Sequence, residues 1–219
     1  RSYAGRVHMG GGNVVVDSHL PMVSFDLPQL NKLHGTGQVA QVNFLGGWLN
    51  PTPAVHPFRV SELVATNLGL IELSINDATT YARIACSSQP KLDGRYVLFF
   101  SLIANFHPPN SQSFTLLQND SALPISGTFK DTPEGGLIKV GTNQYFQVTY
   151  HGGDGNDFVV TKVPAPIAAT LQPPVRLVVE NKIQLNASGT PGAWYEIQAS
   201  ENLNNPAGWH SIGHTLAQS

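Results

Sequence analysis

The chain has 219 residues and a formal net charge of −2, and only 12% of its residues are charged, against ~25% in an ordinary soluble domain. A hydrophobic content of 41% excludes intrinsic disorder, which needs few apolar groups and a large net charge. The absence of a basic surplus argues against electrostatic binding of nucleic acid, and the scarcity of Lys and Glu argues against a long helical protein. Asn, Gln, Ser and Thr number 16, 12, 16 and 14, so uncharged polar groups take the surface role that charges usually fill. That balance suits an extracellular or cell-surface setting. An exported protein whose leader has been removed is expected to open as this chain does, without an apolar h-region.

Taken in chain order, the elements read as strands. Gly10 and Gly11 precede an apolar run, Gly12-Asn13-Val14-Val15-Val16-Asp17. Residues 1–17 are therefore expected to form an extended segment, with Asn13, Val14, Val15 and Val16 as a strand that a neighbouring molecule could accept. Val60 to Ala65 is the best helical candidate and would make one turn. Leu70 to Asn76 alternates, with Ile71, Leu73 and Ile75 on one face. Tyr96 to Ala104 is the most apolar run; about nine residues suit a buried strand, whereas a membrane span needs ~20. No membrane insertion is expected. Gln144 to Tyr150 puts Phe146, Val148 and Tyr150 on one face, and Asp157 to Val163 continues the pattern. Gly and Pro turns separate these runs at short intervals, among them Gly35-Thr36-Gly37, Gly46-Gly47, Asp93-Gly94 and Gly152 to Gly155.

This pattern predicts an all-β protein. Residues 12–163 form a β-rich main domain, read as an antiparallel sandwich or jelly roll. A parallel β-solenoid is the alternative, disfavoured because residues 12–163 contain no repeat of fixed period. Pro164, Pro166, Pro173 and Pro174 mark a linker over 164–174. Residues 175–219 then form a small, incomplete β-module, near the lower size limit for an independent core.

Two segments carry a family resemblance. One is Ile125-Ser126-Gly127-Thr128-Phe129 with Pro133-Glu134-Gly135-Gly136 and Val140-Gly141. The other runs from Phe146 through His151-Gly152-Gly153-Asp154-Gly155-Asn156-Asp157 to Thr161. Over residues 68–163 the chain resembles the autotransporter-associated β-strand repeat proteins, which are large exported bacterial surface proteins. The tail, with Gly189-Thr190-Pro191-Gly192, Tyr195 to Leu203 and Trp209, resembles a module of similar exported proteins that normally continues into further strands. The resemblance implies export and a β-rich surface role, and it brings no catalytic residue.

Candidate sites are sparse. Gly152 to Val160 fits the calcium-binding nonapeptide G-G-x-G-x-D-x-U-x, with Asp154 and Asp157 as ligands, but one copy cannot stack on itself. A Gly-rich hairpin is the simpler reading. Eight histidines are dispersed, and His210 and His214 fall in a strand-and-turn segment rather than on a metal-binding helix. There is no nucleophile elbow, and Asp17-Ser18-His19, adjacent in sequence, are not how a triad is built. No enzyme activity and no cofactor are expected. Trp48, Trp194 and Trp209 are a candidate platform for sugar rings. Asn119 and Asn186 open glycosylation sequons. The single Cys86 can form no internal disulfide. The reading that follows is a non-enzymatic surface protein that binds copies of itself head to tail by strand complementation. The alternative is a carbohydrate-binding module with glycans as partners.

Overall fold

The computed structural model describes residues 4–173, 175–177, 182–202, 204 and 206–218. The chain is all-β; the only helical turn among the described residues is the 3-10 turn Pro206–Gly208.

Residues 5–119 wind as a two-faced parallel coil. The strands β1 (Gly5–His8), β2 (Asn13–Val15), β3 (His19–Pro28), β4 (Lys32–Gly35) and β5 (Gln38–Leu45) begin it. They are followed by β6 (Trp48–Pro51), β7 (Phe58–Ala65), β8 (Gly69–Ile75), β9 (Ile84–Cys86), β10 (Tyr96–Leu102) and β11 (Ser113–Asn119). Odd-numbered strands stack in one sheet in the order β1-β3-β5-β7-β9-β11, and even-numbered strands in a second sheet, β10-β8-β6-β4-β2. Every ladder within this coil is parallel. The all-β expectation holds, but the antiparallel pairing expected of the body gives way here to the solenoid alternative. The reason is geometric. Apolar alternation specifies which face of a strand is buried, and it is the same for either ladder direction.

The missing repeat is explained by coils of unequal length. Phe25 pairs with Val42, 17 positions on, and Val42 with Leu63, 21 on. Phe58 pairs with Ile84, 26 on, and Ile84 with Leu117, 33 on. The sheets stay in register while the connections lengthen. Apolar side chains therefore stack rung on rung: Leu33, Leu49 and Ile71 from one sheet, and Leu27 and Phe44 from the other, are all fully buried. Burial of such contacts between neighbouring coils is what holds a solenoid together.

Corners must bring backbones of adjacent coils close. Gly35, at φ 123°, and Gly37 make this contact. A Cβ on Gly35 would lie 2.2 Å from the Val16 carbonyl oxygen, and one on Gly37 would lie 2.4 Å from that of Ser18. The Asp17 carboxylate ties the same corner by accepting bonds from the Thr36 amide (2.9 Å) and hydroxyl (3.1 Å). The segment Val60 to Ala65, expected as a helical turn, is instead part of β7. Its alternating burial and its parallel neighbours β5 and β9 on either side outweigh a weak local preference.

The far end of the first sheet is antiparallel. Strands β12 (Leu137–Val140), β13 (Gln144–Gly152) and β14 (Asp157–Val163) extend it in the order β11-β14-β13-β12. Phe146, Val148 and Tyr150 face the core as their spacing predicts. Phe129, Tyr150 and Phe158 pack together, with ring centroids 4.8–4.9 Å apart around Phe158. Phe146 meets Phe100 of β10 edge-on at 5.0 Å. These rings close the core at this end.

The remaining strands pair only among themselves. They are β15 (Thr170–Leu171), β16 (Val175–Leu177), β17 (Lys182–Gln184), β18 (Ala187–Ser188), β19 (Trp194–Ala199) and β20 (His210–Leu216). They form three two-stranded ribbons, β15-β18, β16-β17 and β19-β20. Part of the proline-rich stretch thus belongs to a tail ladder. Leu203, the last residue of the tail resemblance, and Val178 and Val179 of the small module lie outside the described residues. The Leu137 amide donates to the Gly192 carbonyl at 2.9 Å, which ties the tail to β12.

Candidate functional site

Two surfaces stand out, and both belong to the parallel coil. The first is its amino-terminal end. Strands β1 and β2 are terminal in their sheets. The Gly12 carbonyl accepts from the Lys32 amide, and the Val16 amide donates to the His34 carbonyl. Even-numbered backbone groups of β2 therefore face β4, and those of Asn13 and Val15 face outward. On β1 the Met9 amide donates to the Asp26 carbonyl, so Arg6 and His8 present the outward backbone groups. Val7, Val15, Met22 and Leu30 are exposed around this end, Leu30 by 90%. The assembly residues Asn13, Val14, Val15 and Val16 are thus brought together, but not as a free donor. Asn13, Val14 and Val15 already pair with Lys32, Leu33 and His34 of the same chain, Val14 packs on the core, and Val16 is buried. Only the outer edge of β2 is open. A parallel partner so far along the chain leaves no local mark in sequence.

A salt bridge pins the β1 edge. Asp26 is buried and accepts two bonds from Arg6 (2.7–2.8 Å) and one from Asn43 (2.8 Å), with the His8 ring at 3.3 Å. The Arg6 hydrogen bond, reinforced by Asn43 and His8, holds the Asp26 carboxyl below the usual carboxylate range against the opposing effect of burial.

The second surface is the outer face of the even-numbered sheet. Lys32, Trp48 and Leu70 lie side by side across β4, β6 and β8. Trp48 stacks on Phe99 of β10 with centroids 4.8 Å apart and planes 28° from parallel. The Lys32 ammonium lies 5.6 Å from the indole centroid. Glu72 Oε2 accepts from Lys32 Nζ at 2.9 Å and from Asn50 Nδ2 at 2.7 Å. A groove of about 370 Å³ runs over these groups, lined by Asn13, Leu30, Lys32, Trp48, Glu72 and Phe99.

The other sequence candidates are scattered. Trp194 and Trp209 are exposed, but Trp194 pairs with Leu216 while Trp209 precedes His210, the partner of Ala199 at the opposite end of the ribbon. They form no common platform, and neither stacks with Trp48 among the described ring contacts. Asp154 and Asp157 flank a turn between β13 and β14, where Gly152 pairs with Asp157, as the hairpin reading expects. Asp157 is buried and accepts from the Asn119 amide at 2.8 Å; burial pushes its carboxyl up. Among the described residues no three His, Cys, Asp or Glu side chains are grouped to hold an ion. Asn119 is buried, its side-chain Nδ2 donates to the Leu123 and Asn156 carbonyls, and its Oδ1 accepts from the Ser121 amide and hydroxyl. The folded chain leaves no room there for a glycan. Asn186 is exposed. A smaller groove of about 250 Å³ lies by Asp17, Ser18, His19, His56 and Arg59, where Asp17 is committed to Thr36. Sequence reading missed Phe99, whose outward position in an apolar run has no local signal, and the Lys32–Glu72 pair, 40 residues apart.

Set against known proteins, the chain matches no family model, no curated protein and no solved structure.

Proposed function

We propose that this chain is a non-enzymatic structural protein of an exported or cell-surface assembly, whose copies join head to tail by strand pairing. The observation that carries the reading is the open end of the parallel coil. Both sheets stop at edge strands whose outward backbone groups have no partner within the chain among the described residues, and exposed apolar side chains surround them. Edge strands of this kind are templates for a further strand.

The tail supplies the matching surface. Each of its ribbons has only two strands and so presents outer edges. Trp194, Ile197 and Ile212 are exposed along the β19-β20 ribbon. Pairing the outer edge of β2 with a tail ribbon of the next copy joins two different patches. Such a contact is heterologous, does not close on itself and builds a fibre. The low charge favours this packing, since few repulsions must be overcome, and the resemblance of residues 68–163 to exported β-repeat proteins supports the setting.

The test uses Val15→Pro. Val15 directs its backbone amide outward and its side chain is exposed, so proline removes an edge donor without breaking the ladder to β4. Wild-type protein viewed by electron microscopy should form fibres, and V15P should stay monomeric by light scattering with its circular dichroism unchanged. A wild type that stays monomeric at high concentration would refute the reading, and so would V15P fibres as long as the wild type's.

A further inference from the structure

We propose that the groove over Lys32, Trp48, Glu72 and Phe99 is a binding site for a neutral saccharide. The groove borders the open edge at Asn13 and Leu30, but the proposal rests on side chains of the sheet face rather than on edge pairing and survives if the fibre reading fails. Four observations converge on it. The first is a rigid aromatic surface. Trp48 and Phe99 come from strands separated by β8 and lock each other by stacking at 4.8 Å. Phe99 remains 42% exposed, so the stack offers a ring surface to solvent. The axial C–H faces of a pyranose are apolar and pack on such rings.

The second observation is a pair of opposed polar groups beside the rings. Glu72 uses Oε2 for both Lys32 and Asn50. Its Oε1 carries no hydrogen bond among those described and is the acceptor for a sugar hydroxyl, while the three-donor Lys32 ammonium can give a proton to the neighbouring oxygen. Adjacent hydroxyls on one ring present that donor and acceptor arrangement. The third is charge. Lys32 and Glu72 are each about one third exposed, at 33% and 34%, and cancel one another, so the groove selects against a strongly charged ligand. The fourth is size. A groove of about 370 Å³ falls at the small end of ligand pockets, which span ~300–1,000 Å³, and fits one or two sugar rings.

This arrangement also explains an otherwise costly feature. Outward-facing Trp and Phe on a sheet open to solvent invite aggregation unless they meet a ligand or partner. Their neighbours are polar groups already fixed by hydrogen bonds, which is how a preorganised site is built.

The test titrates the full chain with short neutral oligosaccharides of glucose, xylose and N-acetylglucosamine. The readout is the Trp48 indole N–H resonance, assigned by its loss in Trp48→Phe. Titration runs to ~20 mM, about twenty times a millimolar Kd, so that weak binding is still read near saturation. One sugar class should move the Trp48 signal and leave those of Trp194 and Trp209 in place. Glu72→Gln keeps the side-chain volume, and Phe99→Ala removes the exposed ring; each should weaken binding by at least about tenfold with the amide spectrum otherwise retained. The proposal is overturned if no sugar moves the Trp48 signal. It is equally overturned if E72Q binds as the wild type does, or if the signal responds only to protein concentration, which would make the groove a contact between copies.

Discussion

Two buried tyrosines make opposite predictions from the same substitution. Tyr150 is 4% exposed, and its hydroxyl accepts from the Phe129 amide at 2.9 Å and donates to the Thr132 carbonyl at 2.7 Å. Tyr96 is 1% exposed, and its hydroxyl has no hydrogen-bond partner among the described residues. Removing the Tyr150 oxygen strands a buried amide and a half-buried carbonyl, each costing ~1–3 kcal/mol. Because water reaches Thr132 more easily than Phe129, we expect Tyr150→Phe to lose about 2–4 kcal/mol. Removing the Tyr96 oxygen strands nothing and relieves an unpaired buried hydroxyl, a gain of about 1 kcal/mol. The assay is urea denaturation followed by circular dichroism, with midpoint and slope fitted separately so that a changed unfolded state is not mistaken for lost stability. For a chain of this size ~3 kcal/mol corresponds to a fall of roughly 6–12 °C in Tm. Equal losses in the two variants would refute the assignment of bonded and unbonded hydroxyls, and so would a loss above ~1 kcal/mol in Tyr96→Phe. Burial pushes both phenols up. The unfolded phenols ionise near pH ~10 while the folded ones stay neutral, so stability should fall as pH rises through that value.

Two further outcomes follow from buried groups. Burial, with the charges of Asp154 and Asp120 adding to it, raises the folded Asp157 carboxyl above its unfolded value against the Asn119 hydrogen bond. Its ionised form therefore costs stability at neutral pH, and the cost disappears as pH falls through the folded value. Asp157→Asn keeps an acceptor for the Asn119 amide and should be at least as stable as wild type at pH 7, the gap closing in acid; a large loss at pH 7 measured by thermal unfolding would show that the charge is needed. Cys86 is fully buried, and burial pushes its thiol up to about 11. Native protein should react with a thiol reagent only as fast as it opens, and a fast reaction under native conditions would contradict the packing of β9.

Much of the strand content was readable because a half-buried strand writes its burial into alternate residues. Ile71, Leu73 and Ile75, and likewise Phe146, Val148 and Tyr150, are buried as their spacing requires. The Gly152 to Gly155 turn was readable because only a few residue types accept its backbone angles. The candidate site was half legible. Trp48 is conspicuous by residue type, but its stacking on Phe99 and the Lys32–Glu72 pair beside it exist only because β4, β6, β8 and β10 lie side by side.

The amino-acid sequence by itself determined that this chain is built mainly of strands, which faces of the cleanly alternating ones turn inward, and where the Gly- and Pro-marked turns fall, because those are properties of a few neighbouring residues. It did not determine the strand at Val60 to Ala65 or the outward face of Tyr96 to Leu102. Tertiary structure alone decided that the strands of residues 5–119 run parallel, that β2 lies in its own chain's ladder, and that aromatic and charged groups meet on one sheet. Pairing between residues 17 to 33 positions apart, across connections of unequal length, is chosen by the packing of the whole core, and an alternating segment is equally suited to either direction until that core forms.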